Sequence, residues 1–546
     1  MGRGTLAIFL FIYLSFLTES SAQPALESTL PLIIIDTENS SIPDEPKIMG
    51  RMGIINNGPG GVNRSTDSFN DYNGHIGIEL RGSSSQDKFP KKGFGIELWN
   101  AQGDDINASI LGLPAEEDWV LHGPYSDKTL IRNVLTFHLW SEMGRSGSRT
   151  RLVELIVNEE YLGVYVAMEK IKRGKNRVDI SKLNADENTG DDLTGGYIVK
   201  IDKLTGSNSE VAWKSPFLPT KSSTEEQIVN YQIEYPKTDE VTSAQKAYIQ
   251  SYITNFEASL NSSEFRGENG YRKYINTASF IDFSIINEIS KDIDGYRAST
   301  FLYKDKDSGD GKLTMGPIWD FNLGFGNSES CGYHSPEGWA WNFNRTCGGT
   351  GLMPFWWDRF LEDAAYVNDL QDRWFELREG PLSTDKVLNF IDSMALMLEE
   401  PALRNFDKWP VLGTYVWPNF FIGEEGTYQE EIDYLKAWTA NRLSWMDDNL
   451  RIMEAFPITG GVPEIIRNPE VDIYPNPTQS IVNLWSPNRI TDIQILSLSG
   501  QVKFEVNNLN SETISLDISA LPSNIYFVLV TNLGGAIDSH RLIKID

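Results

Sequence analysis

Between Asn287 and Asn327 the chain reads NEISKDIDGYRASTFLYKDKDSGDGKLTMGPIWDFNLGFGN, and no other stretch restricts the fold as much. A helix end runs into a polar segment, Asp292 to Ser299, ahead of a strand, STFLYKD. The turn DSGDG sends the chain back into a second strand, KLTMGPIWDF, and a glycine-rich loop closes the run. Asp/Gly turns of this kind join antiparallel strands. The carboxylates set the stretch apart: Asp292 and Asp294 precede the first strand, and Asp320 follows Trp319 in an otherwise apolar segment. An acid in that setting must be paired, hydrogen-bonded or metal-bound, because burying a bare charge is prohibitive. Folding the hairpin back on itself brings the positions of Asp294 and Asp320 close. One carboxylate could orient or deprotonate an acceptor hydroxyl while the other holds a divalent ion that bridges phosphate oxygens. Asn322, two residues past Asp320, could add an oxygen. A salt bridge or a turn is the plainer role for each acid.

Charge and composition narrow the partners. A formal charge of −28 and a pI near 4.6 argue against nucleic acid and anionic membranes. Five histidines, with no H-E-x-x-H and no C-x-x-C, suit zinc poorly, so a metal here would take oxygen ligands and be magnesium, manganese or calcium. The acids of DKDSGDG do not follow EF-hand spacing and read as a solvated turn. No G-x-S-x-G elbow supports a hydrolase.

The first 22 residues have a short basic start, an apolar run from Leu6 to Leu17 and small residues before a cleavage point after Ala22. This reads as a secretory signal peptide, too short in its apolar part for a membrane span. The mature chain is then expected to carry no transmembrane segment. Cys331 and Cys347 lie in one polar loop and can be bridged or free in an oxidising compartment.

Up to about residue 205 the pattern is mostly strands with one helix, capped by Ser126 or Asp127. RGSSSQDKFPKK, residues 81 to 92, is a Gly/Ser loop between two strands with a lysine pair behind it. Such a loop can hold phosphate on backbone N–H groups or simply be a solvated connection. From about Thr242 to residue 450 helices dominate, rich in tryptophan and tyrosine. Helix-spaced core packing accounts for these aromatics more readily than a carbohydrate platform. Beyond a linker at 456–468, short strands at regular spacing predict a small β-sandwich over 469–546.

The blocks RGSSSQDKFPKKGFGIEL, DWVLHGPYSDKTLIRN, ELIVNEEYLGVYVAMEKI, NRVDI, GGYIVKIDK and GPIWDFNLGFG, in this order, closely resemble the CotH kinase family of spore-coat-type atypical kinases. The resemblance implies an α+β, divergent protein-kinase-like two-lobed fold over residues 23–455. It also implies ATP with Mg2+ or Mn2+, and phosphoryl transfer to Ser/Thr hydroxyls of a protein acceptor or of the chain itself. By the same resemblance Asp294 is the candidate catalytic aspartate and Asp320 the candidate metal ligand, beside which Asn322 could add its oxygen. Lys92, with Lys91 as runner-up, would contact nucleotide phosphates, and Glu169 would partner a lysine or line the nucleotide pocket. The tail, VDIYPNPT followed by short strands and SHRLIKID, resembles the C-terminal sorting domain of the type IX secretion system of Bacteroidetes. That implies passage through the periplasm to the outer surface or medium and engagement of the secretion machinery. The alternative is a catalytically silent secreted protein that binds polysaccharide or protein.

Overall fold

Alternating strands in the first part of the chain close on themselves. In the computed structural model, which describes residues 25–204, 211–221, 227–309, 311–347, 351–457, 471–497, 502–533 and 537–545, seven of them form a closed barrel. The expected leader and most of the expected linker lie outside the described residues. Barrel neighbours run, in order, Leu32–Asp36, Ile48–Ile55, Tyr72–Arg81, Gly93–Trp99, Asp118–His122, Glu160–Glu169 and Thr150–Val157. All pairs are antiparallel except the closing one, where Leu32–Asp36 lies parallel to Thr150–Val157. Alternate residues turn inward and make the core: Ile33, Ile35, Ile54, Ile76, Ile78, Ile96, Leu98, Val153 and Leu155. Closure leaves no free edge strand.

The chain divides into two units, and the barrel unit draws its residues from Met1–Tyr125, Arg149–Glu169 and Ser393–Val411. The late segment contributes the helix Glu399–Lys408. Arg404 on that helix forks onto the fully buried Glu154 carboxylate at 3.0 and 2.8 Å.

The second unit takes Ser126–Ser148, Lys170–Asp392 and the remainder from Leu412. Its five-stranded antiparallel sheet runs Trp213–Lys214, Asn230–Tyr235, Tyr197–Ile201, Thr300–Lys304, Thr314–Met315. The predicted hairpin is its edge pair, with Leu302 opposite Met315 and Tyr303 opposite Thr314. Among its helices, Thr277–Ser290 is buried along almost its whole length, polar residues such as Asp282, Asn287 and Glu288 included, and lies at the centre of the unit. The tryptophans of the helical region go chiefly to this core: Trp356, Trp357, Trp374 and Trp438 are all buried. Tyr415, Trp417 and Phe420 remain exposed. Cys331 and Cys347 are joined in a disulfide.

In the tail, Ile481–Ser497 is a single strand of 17 residues where the sequence pattern suggested separate short ones. It pairs with Asp472–Tyr474 and Ser511–Asp517 along its first half, and with Val502–Val506 and Asn524–Asn532 along its second. Register shifts accompany the change of partner, so one continuous strand serves two sets of neighbours.

One buried acid near the five-stranded sheet gives a pH-dependent term. Glu257, 1 % exposed, accepts from the Tyr231 hydroxyl at 2.6 Å, the Trp356 indole at 3.0 Å and the Ser215 hydroxyl at 3.0 Å. Burial pushes its carboxyl from an ordinary 4.5 up to about 7. Because the folded value is the higher one, its contribution to stability is complete below about 4.5 and is lost as pH rises toward about 7. The slope is about 1.4 kcal/mol per pH unit. Glu257→Gln should flatten that slope in urea unfolding measured from pH 4.5 to 8; an unchanged pH dependence would refute the assignment.

Candidate active site

The helix Thr277–Ser290 ends where Lys291 turns into the left-handed region, φ +46°. That turn delivers Asp292 and Asp294 in succession. Asp292 is only 2 % exposed, and its Oδ1 accepts the Asp294 N–H at 2.8 Å. Its Oδ2 is buried and makes no hydrogen bond. Burial first, and then the charges of Asp294 and Asp320, drive the Asp292 carboxyl well above the usual carboxylate range. Asp294 is a third exposed and pairs through Oδ1 with Arg297. Arg297 in turn donates to the Ile293 and Gly351 carbonyls and lies over the Phe343 ring at 4.5 Å.

Lys291, next to these acids, points its ammonium into carbonyls of Gly332, Ser335 and Glu337. Burial, with the nearby Arg442 charge, lowers its pKa to about 8.

Asp320 leaves the hairpin with a left-handed backbone, φ +67°, and is exposed. Asn322 is half-buried and its carbonyl accepts from Asn327 Nδ2 at 2.8 Å. The loop that carries both is held by Ser126 to Asn133. Asn133 Oδ1 takes the Phe321 N–H at 2.7 Å, Arg132 Nε donates to the Gly324 carbonyl at 3.1 Å, and Asn327 Nδ2 reaches the Ser126 carbonyl at 3.3 Å. The Phe325 N–H bonds the Ser290 carbonyl at 2.6 Å, which ties the loop to the end of the helix that presents Asp292. Gly326, φ +76°, has no room for a side chain, since a Cβ would sit 2.6 Å from Trp438.

Ser126 and Asp127 do not start the helix as a simple cap. The helix begins at Arg132, and Asp127 Oδ2 accepts the Arg132 N–H at 2.9 Å while its Oδ1 pairs with the Arg132 guanidinium at 2.6 Å. Asp127 therefore orients the arginine that holds the Gly324 carbonyl. In the sequence this segment reads as a helix cap inside one of the family blocks, and no local signal shows that it braces a loop almost two hundred residues away.

The charges of Asp294 and Asp320 both act on Asp292, yet the oxygens of the three do not all fall within 4.8 Å of one another. Among the described residues only Glu116, Glu117 and Asp118, in the barrel unit, meet that spacing.

The nucleotide-side candidates lie in the barrel unit. Lys92 donates to the carbonyls of Gln86 and of Phe89 (2.8 Å), so it ties down the Gly/Ser loop, which contains a short helix, Ser84–Lys88. Lys91 is 1 % exposed and donates to the Val164 carbonyl at 2.6 Å and Asn405 Oδ1 at 2.7 Å. Glu169 is buried and holds Arg149 through both oxygens, at 2.8 and 2.6 Å. The acids Asp294 and Asp320 and the amide Asn322 lie in the other unit.

The chain is thus an α+β protein with a buried carboxylate at a helix end, followed by a separate β-rich region. The profile described as CotH kinase protein matches residues 78–446, and the chain belongs to that family. Residues 472–544 match the secretion system C-terminal sorting domain, so the chain carries a type IX sorting signal that engages the secretion machinery and leads to the cell surface or medium. Among the described residues no helix is long and apolar enough to cross a membrane.

Solved structures give weaker likenesses. A Helicobacter pylori proinflammatory kinase, CtkA, is 10 % identical over 65 % of this chain and 94 % of its own, with a TM-score of 0.25. A DUF3244 family protein with an immunoglobulin-like β-sandwich fold from Bacteroides vulgatus is 20 % identical over 14 % of this chain and 98 % of its own, with a TM-score of 0.12. No curated protein matches.

Proposed function

We propose that the chain is an exported atypical protein kinase with a divergent, two-lobed kinase-like domain over residues 23–455. It would transfer the γ-phosphoryl group of ATP to a Ser/Thr hydroxyl of a protein acceptor or of itself. Family membership carries this reading, supported by the placement of Asp292 and Asp294 just past the helix Thr277–Ser290 and by the bond from the Phe325 N–H to the Ser290 carbonyl, which ties the Asp320 loop to that helix end.

The donor set fits the metal that such a reaction uses. Asp320 and Asn322 offer only hard oxygen donors, which suit Mg2+ or Mn2+. A divalent ion held there neutralises charge on phosphate oxygens. Asp294 is the proposed base: half-buried and aimed by Arg297, it can orient an acceptor hydroxyl and take its proton. Asn133 and Arg132 keep the Asp320 loop in place through backbone bonds that do not depend on the ion.

On the nucleotide side Lys92 is the proposed phosphate contact, with Lys91 second and Glu169 lining the pocket. Both lysines already bond backbone carbonyls, so a phosphate group would compete with those bonds at Lys92, the less buried of the two. Calorimetric titration of the mature chain with ATP in Mg2+ or Mn2+ tests the reading directly. Lys92→Met is expected to weaken ATP binding about tenfold or more, the scale of a charge-assisted contact. Equal affinity in that variant would remove Lys92 from the site, and no ATP binding by the wild type would overturn the kinase reading.

A further inference from the structure

The only two cysteines of the chain, Cys331 and Cys347, are bonded to each other, and the residues between them support the helix end that presents Asp292 and Asp294. Lys291, just before Asp292, donates to the carbonyls of Gly332, Ser335 and Glu337. Glu288, two residues before the helix ends, accepts the N–H groups of Ala340 and Trp341 at 2.8 and 3.0 Å. Arg442 joins Glu288 to the Pro336 and Gly338 carbonyls. Arg297, the partner of Asp294, lies over the Phe343 ring.

The loop has little structure of its own with which to keep that shape. Ser330–Gly332, Ala340–Asn342 and Phe343–Thr346 are single helical turns, and turns this short do not hold themselves in water. Inside the loop the Tyr333 hydroxyl donates to the Ala340 carbonyl at 2.9 Å, and the Tyr333 ring meets Phe343 edge to face. The cross-link closes the loop over a separation of 16 residues and restricts what it does when its ties open. It also keeps Cys331 at φ +54°, a left-handed conformation that a residue with a side chain ordinarily avoids. Cys331 is exposed and Cys347 half-buried, so an external thiol or disulfide can reach the bond at Cys331.

We propose that the Cys331–Cys347 bond is a redox switch on the candidate site: oxidised, it holds the loop that aims Asp294, and reduced, it lets that loop go. The reaction it controls is the one of the kinase reading above, on which the proposal rests. The sorting domain takes the chain out of a reducing interior, so the bond forms during export and the site stays off until then. The oxidant is an external disulfide. The Cys331 thiolate attacks one of its sulfurs and expels the other as a thiolate, and the Cys347 thiolate then attacks Cys331 Sγ and expels the remaining external sulfur. The chain's two thiols are oxidised by two electrons, the external disulfide is reduced to two thiols, and the two protons pass to it.

The test compares the mature chain as oxidised, reduced with excess dithiothreitol and reoxidised with glutathione disulfide, beside the double variant Cys331→Ser, Cys347→Ser. Amide hydrogen exchange reads the loop, and transfer from γ-labelled ATP with Mg2+ reads the site. Reduction is expected to speed exchange at Ala340 and Trp341 and to lower transfer, each by at least about tenfold, with the barrel amides unchanged. Reoxidation should restore both, and the double variant should behave as reduced whatever the reagent. Unchanged exchange at the two amides, or faster exchange with undiminished transfer, overturns the switch and leaves the kinase reading standing. Faster exchange throughout the second unit makes the bond a staple of that whole unit and also overturns the switch. An oxidised chain that transfers no phosphoryl group overturns the kinase reading, and the switch with it.

Discussion

Asp320→Ala is expected to reduce metal-dependent transfer from γ-labelled ATP by at least about a hundredfold, the scale of losing one group that stabilises charge in the transition state. The fold should survive the change. Asp320 is exposed, and the backbone of the loop around it is held by Asn133, Arg132 and the Ser290 carbonyl. One local cost comes from the backbone. Asp320 sits at φ +67°, where aspartate and asparagine are tolerated and alanine is strained by about 1–2 kcal/mol. Asp320→Asn removes the charge without that strain and is expected to lose transfer just as fully. The two variants together separate the acid's chemistry from its backbone. Full transfer in Asp320→Asn, with a melting curve like that of the wild type, would dismiss Asp320 as the metal-holding group. Loss in alanine alone would trace the defect to loop geometry instead.

Much of this site could be read from the residues in order, because its hairpin is local. Alternation in STFLYKD and the Asp/Gly turn led directly to the paired strands Thr300–Lys304 and Thr314–Met315. Asp307 pairs with Lys304 at the turn and Asp305 accepts from the Ser181 and Lys306 amides, which are the structural tasks expected of turn acids. Burial of Asp292 was not legible. A polar run between a helix and a strand reads as a solvated connection, and nothing local shows that the Asp320 loop folds back over it. The role of Ser126 to Asn133 was hidden for the same reason, since its partners lie in residues 321–327. Closure of the barrel is a third case: alternation gives each strand a face, but the parallel contact between Leu32–Asp36 and Thr150–Val157 joins strands more than a hundred residues apart.

Arg442→Ala is expected to be the most destabilising single change near the site, costing about 3–5 kcal/mol, as when one partner of a buried ion pair is removed. Arg442 and Glu288 are 0 % and 2 % exposed and meet at 2.9 Å. Burial pulls the Arg442 pKa down to about 10 and pushes the Glu288 carboxyl above its usual value, against the opposing pull of the pair itself. Each partner also fastens the loop beside the acids. Arg442 donates to the carbonyls of Glu288, Pro336 and Gly338 at 2.7, 2.8 and 2.6 Å. Glu288 accepts the N–H groups of Ala340 and Trp341 and the hydroxyl of Tyr296, two residues beyond Asp294. Alanine at 442 would leave an unpaired buried carboxylate and three carbonyls without their donor. Arg442→Lys should recover only part of the loss, because an ammonium cannot reproduce the fork of a guanidinium across four acceptors. Glu288→Gln combined with Arg442→Ala should cost less than the two single changes added together, since neither charge is then stranded. Urea unfolding followed by tryptophan fluorescence measures the wild type, the three single variants and the double variant. A loss below about 1 kcal/mol for Arg442→Ala, or strict additivity in the double variant, would show that the pair does not hold this part of the fold.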